Sequence, residues 1–322
     1  MIVTYSKNVF LPLTTNCRNR CWYCGFRSEK PNLMDRNEVE TLLLKAKSAK
    51  EALFTFGEKP DEIKEFRKLL EQKGYENFLD YVVDMNKLAI RHRLLPHTNA
   101  GVLSKEELEK LKIYNASLGL MLEQAVELDC HSESPGKKPE KRIKTIREAG
   151  KLQIPFTTGI LVGIGEKEYD RVYSLEVIAD IHEEFGHIQE VIIQNFKPKF
   201  GTKMEKWKEP SQKEMLETVK IARRILPKDV AIQVPPNLVG DVYPFLKAGA
   251  NDLGGISEVT PDYINPEAPW PKLSDLVRSL GNEFILKERL PVYPKFVKLK
   301  SYGSAVRELV EVYSDENGYA KP

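Results

Sequence analysis

Three of the four cysteines fall within eight residues, in the stretch Cys17-Arg-Asn-Arg-Cys21-Trp-Tyr-Cys24. Disulfides would leave one of the three unpaired, so ligation of a metal centre explains the trio better. A [4Fe-4S] cluster held by four cysteines is coordinatively closed, whereas three leave one iron free to bind a second molecule. The spacing C-x3-C-x2-C therefore points to a cluster with an open iron. Zinc is the alternative, with Cys130 or His131 as a fourth ligand, although zinc motifs usually separate two ligand pairs by a longer insert. Arg18, Asn19 and Arg20 are not core residues, which argues against a chance cluster of buried thiols. Cys130 stands alone and reads as a small, half-buried residue.

A motif of this kind needs a loop fixed at the end of a strand, and the chain supplies the strands. Eight short apolar runs recur: Val9 to Thr14, Leu53 to Gly57, Leu94 to Asn99, Leu118 to Leu122, Phe156 to Gly163, Val191 to Phe196, Val230 to Pro235 and Asp252 to Ile256. Helical stretches separate them, and this alternation predicts an α/β fold, a closed (β/α)8 TIM-like barrel. Pro60 can open a helix whose Ile63, Phe66, Leu69 and Leu70 share one face, and Gly74 can close it. Ser104 and Glu107 form a capping-box pattern, so the third strand ends at Asn99. Asp129 to Lys141 is a polar loop expected over the barrel mouth. Pro266 to Pro271 is too rich in proline for regular structure, and a last helix is expected near Ser304. Residues 1–322 are read as one barrel domain, with 258–322 a C-terminal extension covering one barrel end.

The 49 Lys and Arg residues nearly balance the 47 Asp and Glu, for a net charge of +2. That balance gives no electrostatic case for nucleic acid or an anionic membrane as partner and leaves small-molecule substrates open. No apolar run is long enough for a membrane span, and Met1 to Asn8 lacks the apolar stretch of a signal peptide, so a cytoplasmic protein is expected.

The cysteine motif and its setting resemble the radical S-adenosylmethionine (SAM) family, of the biotin synthase-like type. The resemblance implies that Cys17, Cys21 and Cys24 hold a [4Fe-4S] cluster whose open iron binds SAM and cleaves it to a 5'-deoxyadenosyl radical. It also nominates SAM-binding residues at the strand ends. Phe56-Gly57-Glu58 resembles the family's glycine-glycine-glutamate segment, with Phe56 in place of the first glycine. Glu123, delivered by Leu118 to Leu122, suits a pair of ribose hydroxyls. Arg142 matches an arginine that pairs with the SAM carboxylate, a bidentate role that fits a guanidinium. Gly159 to Glu166 follows the G-x-I-x-G-x-x-E pattern, in which Gly163 lets an adenine approach the backbone. Asn195 and Tyr23 are placed to contact the nucleoside.

Within that family the chain resembles the deazaflavin-forming subunits of FO synthase almost end to end. The likeness is carried by Thr4 to Asn8, Pro96-His-Thr-Asn99, His131 to Gly136, Gln194-Asn195-Phe196, Asn251 to Ser257 and Val259 to Trp270. It implies ring closure, with loss of ammonia, on 5-amino-5-(4-hydroxybenzyl)-6-(D-ribitylimino)-5,6-dihydrouracil. It also implies an electron donor such as ferredoxin or flavodoxin, and a tyrosine-consuming partner subunit that makes this compound. His97 and Asn99 are the catalytic candidates, His97 because an imidazole titrating near neutrality can move a proton. Asp252 and Ser257 are the substrate-binding candidates. The alternatives are the tyrosine-consuming enzyme itself, which shares the cysteine motif, and a zinc-stabilised barrel without catalysis. Sulfur insertion by a second cluster lacks the cysteines it would need.

Overall fold

Along the first strand, β1 (Ile2–Leu11), Val3, Val9 and Leu11 pack outward into the hydrophobic core, while Ser6, Asn8 and Phe10 face an internal cavity. That two-residue alternation is the signature of a strand with two different faces. The computed structural model describes residues 1–322. Seven more strands follow in chain order: β2 (Glu51–Thr55), β3 (Leu95–Asn99), β4 (Ser117–Gly119), β5 (Phe156–Val162), β6 (Ile188–Asn195), β7 (Ala231–Gln233) and β8 (Asp252–Ile256). Each pairs in parallel with its successor, and β1 pairs with both β2 and β8, which closes the eight-stranded barrel expected from the alternation. Helices between the strands bury their apolar faces against the outside of the barrel. No helix is long and apolar enough to cross a membrane.

The strand bounds shift where the apolar run was a poor guide. The first strand begins at Ile2, not Val9, because its inward residues are polar and conceal the alternation. The fourth stops at Gly119; Leu120 still donates to the Thr157 carbonyl at 2.9 Å, and Glu123, at a left-handed φ of 65°, rejoins the fifth strand through an isolated bridge to Ile160. Pro60 opens only a 3-10 turn, Pro60–Glu62, and the helix proper is Lys64–Gln72.

After β8 the chain visits both ends of the barrel. Asp262, Ile264, Asn265 and Trp270 line the cavity at its mouth. The chain then forms a helix (Leu273–Leu280) and a ninth strand, β9 (Ile285–Glu288), parallel to Ile2–Tyr5 of β1. Two more helices follow, Pro294–Leu299 and Arg307–Tyr313, the latter preceded by a 3-10 turn at Ser304–Val306. Neither β9 nor the helices before Ser304 were expected from sequence. Leu290, Val292, Phe296, Val306 and Leu309 pack against Leu95, Ala116 and Ala231, where strands begin. The Pro291 carbonyl accepts hydrogen bonds from Ser117 Oγ at 2.6 Å and Gln189 Nε2 at 3.0 Å, fixing this segment beneath the barrel.

Candidate active site

Barrel interiors are usually filled by layers of branched apolar side chains. Here the inward positions carry Ser6, Asn8, Glu51, His97, Thr157, Glu190 and Gln233, and they surround a cavity of about 410 Å³ that rises to the cysteine loop. Cys17, Cys21 and Cys24 all stand on its wall. Cys17 Sγ accepts backbone N–H groups from Asn19 at 3.4 Å and Glu58 at 3.2 Å, and Cys21 Sγ accepts the Ser134 hydroxyl at 3.4 Å. Donors aimed at sulfur stabilise thiolates and the anionic centres they ligate. Cys130 is not on that wall: it is buried behind the loop among Leu161, Ile164, Phe196 and Met204, with Trp22 and Tyr23 packed against it and its carbonyl accepting the Trp22 N–H at 3.0 Å.

Glu58 ties the loop to the barrel. Its carboxylate accepts Arg18 Nε at 2.8 Å and pairs with Arg18 Nη2 at 2.7 Å, accepts the Val102 N–H at 3.1 Å, and lies 3.5 Å from Arg142 Nη1. Burial pushes this carboxyl up, but Arg142 and Arg18 outweigh it and hold it below the ordinary carboxylate range. The Glu58 side chain is thus already engaged, and the backbone of the segment is the part expected from the resemblance to receive the SAM ammonium. The carbonyl oxygens of Phe56 and Gly57 beside it accept no hydrogen bond, and they are the free acceptors of this segment. Gly57 is required for close approach: a Cβ there would fall 1.8 Å from the Asn16 carbonyl oxygen and 2.9 Å from Cys17 Cβ. Replacing it, G57A, should cost about 2 kcal/mol through overpacking and shift the cysteine loop. The expected result is a lower melting temperature together with reduced iron occupancy after reconstitution.

Arg142 is buried rather than solvated; it donates to the carbonyls of Met121 at 2.6 Å and Gly136 at 3.0 Å, with Glu123 at 4.0 Å. Glu123 pairs with Lys137, which the sequence reading missed. Burial raises Glu123, and Lys137 and Arg142 more than reverse this, so it stays ionised. Tyr23 lines the cavity with its hydroxyl 3.0 Å from His131 Nε2. Asn195 lines it too, and its buried Oδ1 has no partner.

Three predicted site residues are not on the cavity wall. Gly163 has a φ of 96°, but a Cβ there would meet Pro210 Cδ at 2.8 Å, so the space it opens is filled by protein. Ser257 caps a turn, sharing a 2.8 Å hydrogen bond with Thr260 Oγ1 and accepting the Thr260 N–H at 3.0 Å. Asp252 starts β8, at the end of the barrel opposite the mouth. Fully buried, it accepts Arg289 Nε at 2.7 Å and Nη2 at 3.0 Å, and the Thr4 hydroxyl. Arg289 also reaches Glu190 at 3.3 Å, whose carboxyl burial pushes up to about 7.

His97 and Asn99 do face the cavity, together with Glu51 and Arg289, which were not foreseen. Ser117 gives its hydroxyl proton to the Pro291 carbonyl, so at 2.6 Å His97 Nδ1 must be the donor to Ser117 Oγ. Burial, assisted by Arg289, lowers the imidazole to about 4. His97 is therefore neutral, with the side chain of Asn99 beside its ring, and the expectation of an imidazole titrating near neutrality is corrected. The folded state binds this proton less readily than the unfolded chain, so stability is full above pH 6.5 and falls as the pH drops toward 4. The loss should be about 3 kcal/mol. Urea unfolding across this window should give the slope in the wild type and a shallower one in H97Q.

Residues 11–178 match the radical SAM superfamily. Over its whole length the chain is 68% identical to 7,8-didemethyl-8-hydroxy-5-deazariboflavin synthase of Archaeoglobus fulgidus, covering 99% of that protein. It is 54% identical to the enzyme of the same name from Methanococcoides burtonii, over 99% of this chain and 98% of the relative. An FeFe-hydrogenase maturase from Carboxydothermus hydrogenoformans shares the fold, with a TM-score of 0.69 at 18% identity over 98% of this chain and 80% of its own. The superfamily implies a [4Fe-4S] cluster and SAM, and the cysteines such a cluster needs are present on the cavity wall. The chain belongs to the radical SAM superfamily and, within it, to the 7,8-didemethyl-8-hydroxy-5-deazariboflavin synthases.

Proposed function

We propose that this chain is an ammonia-releasing, ring-forming lyase. It converts 5-amino-5-(4-hydroxybenzyl)-6-(D-ribitylimino)-5,6-dihydrouracil into the deazaflavin FO. The observation that carries this reading is the 68% identity, end to end, with the Archaeoglobus synthase. When bound, the cluster and SAM supply a nucleoside radical able to abstract hydrogen from carbon. The substrate loses ammonia and two hydrogens, one as the abstracted atom and one as a proton whose electron would return to the cluster, left one electron short by SAM cleavage.

The chain's own work is holding, orienting and excluding. Cys17, Cys21 and Cys24 hold the cluster, and the N–H and O–H donors around them fit an anionic centre. The free carbonyls of Phe56 and Gly57 receive the SAM ammonium, Arg142 its carboxylate and Glu123 the ribose hydroxyls. Tyr23 and the unpartnered Asn195 Oδ1 meet the nucleoside. Apolar walls at Phe10, Leu53, Leu120 and Ile192 keep water from the reacting carbon. His97, held neutral, and Asn99 face the substrate together. Acting as one domain in the cytoplasm, the chain takes electrons from a ferredoxin or flavodoxin and its substrate from the tyrosine-consuming subunit. The test is anaerobic: reconstituted enzyme, SAM, reductant and the hydroxybenzyl adduct should give fluorescent deazaflavin. Deoxyadenosine without deazaflavin would overturn the substrate assignment.

A further inference from the structure

We propose that Asn8 recognises the pyrimidinedione ring of the substrate, its carboxamide pairing with the ring's adjacent N–H and C=O at the cavity floor. The inference rests on the ring-closing reading above. Asn8 is 1% exposed and faces the cavity, yet neither its Oδ1 nor its Nδ2 has a hydrogen-bond partner. Turning the amide over changes nothing, since both atoms are bare. Buried polar groups are seldom left in this state, and a donor and an acceptor on one side chain are a marked departure. The fold makes room for the group: a Cβ on Gly255 would stand 2.1 Å from Asn8 Nδ2.

The neighbours are already satisfied. Glu51 accepts the Ser6 hydroxyl at 2.6 Å, and Glu190 accepts the Thr157 hydroxyl at 2.8 Å and pairs with Arg289. Among the carboxamides on the cavity wall, Asn8 is the one with both polar atoms buried and unpartnered, and the complement of that planar donor–acceptor pair is a planar acceptor–donor pair. Of the three parts of the substrate only the pyrimidine offers one, a ring N–H flanked by carbonyls. The phenol has a single hydroxyl, and the hydroxyls of the ribityl chain lie on separate tetrahedral carbons.

Adenine could also present such an edge to a carboxamide, but depth argues against it. Asn8 is level with Glu51, the first residue of β2, while the residues proposed to hold SAM follow strand ends. At about 3.3 Å per residue the four steps from Glu51 to Thr55 put the floor roughly 13 Å below that rim along the strand.

Asn8→Leu removes both polar atoms at similar volume, and Asn8→Asp replaces the donor with an acceptor. In reconstituted holoenzyme each should raise the KM for the adduct at least tenfold. The KM for SAM and the deoxyadenosine released without adduct should stay unchanged. N8L should also melt no lower than wild type, because it deletes two unsatisfied atoms, whereas a purely structural asparagine would leave the variant less stable. An adduct methylated on the pyrimidine nitrogen should be a poor substrate for wild type and lose that penalty in Asn8→Ala. An unchanged adduct KM in both N8L and N8D, or a raised KM for SAM, would overturn the assignment while leaving the ring-closing reading intact. If wild type makes no deazaflavin from the adduct, both fall together.

Discussion

Alanine at Cys17, Cys21 or Cys24 should take the reconstituted protein from about four irons per chain to background, and deoxyadenosine release with it. A cluster that opens one iron to a second molecule has no ligand to spare, so loss of any of the three leaves two. The fourth cysteine, Cys130, accepts the Trp22 N–H on its carbonyl at 3.0 Å but is not on the cavity wall with the trio. It is enclosed by Leu161, Ile164, Phe196 and Met204. The control is therefore Cys130→Ala, which should keep full iron content and deoxyadenosine formation within about twofold, its cost confined to packing. Iron assay and chromatography of the nucleoside decide it: a cysteine-to-alanine variant of the trio with normal iron and normal deoxyadenosine would refute the ligand assignment.

The second large effect is on stability. Arg289→Leu should destabilise the fold by about 3–5 kcal/mol, because removing one partner of a buried ionic group leaves uncompensated charge. Arg289 serves two carboxylates, Asp252 and Glu190, and its guanidinium also lies 4.1 Å from the centroid of the Tyr293 ring. Its backbone N–H donates to Tyr5 at 2.8 Å, so the residue fastens the segment after β9 to the first strand. If uncompensated charge is the cause, neutralising the carboxylate should repair it. R289L with Asp252→Asn should recover more than half of the loss in urea unfolding midpoint, and an additive double variant would show that packing, not charge, was lost.

Much of this was legible in the sequence. The C-x3-C-x2-C spacing, the eight-fold strand alternation and a carboxylate, Glu123, just past the fourth strand each follow from local pattern. Asp252 was misjudged for a reason the sequence itself contains. It begins its strand, and in a parallel barrel the beginning of every strand lies at the end away from the mouth. Asn8 and Glu51 were hidden because inward positions that are polar look like loop to a reader seeking apolar runs. Arg289 was out of reach, since its partners are 37 and 99 residues away and meet it only after the barrel has closed.

The segment from Leu290 to Val310 stoppers the lower end of the barrel, so every compound that reacts inside must come and go through one doorway.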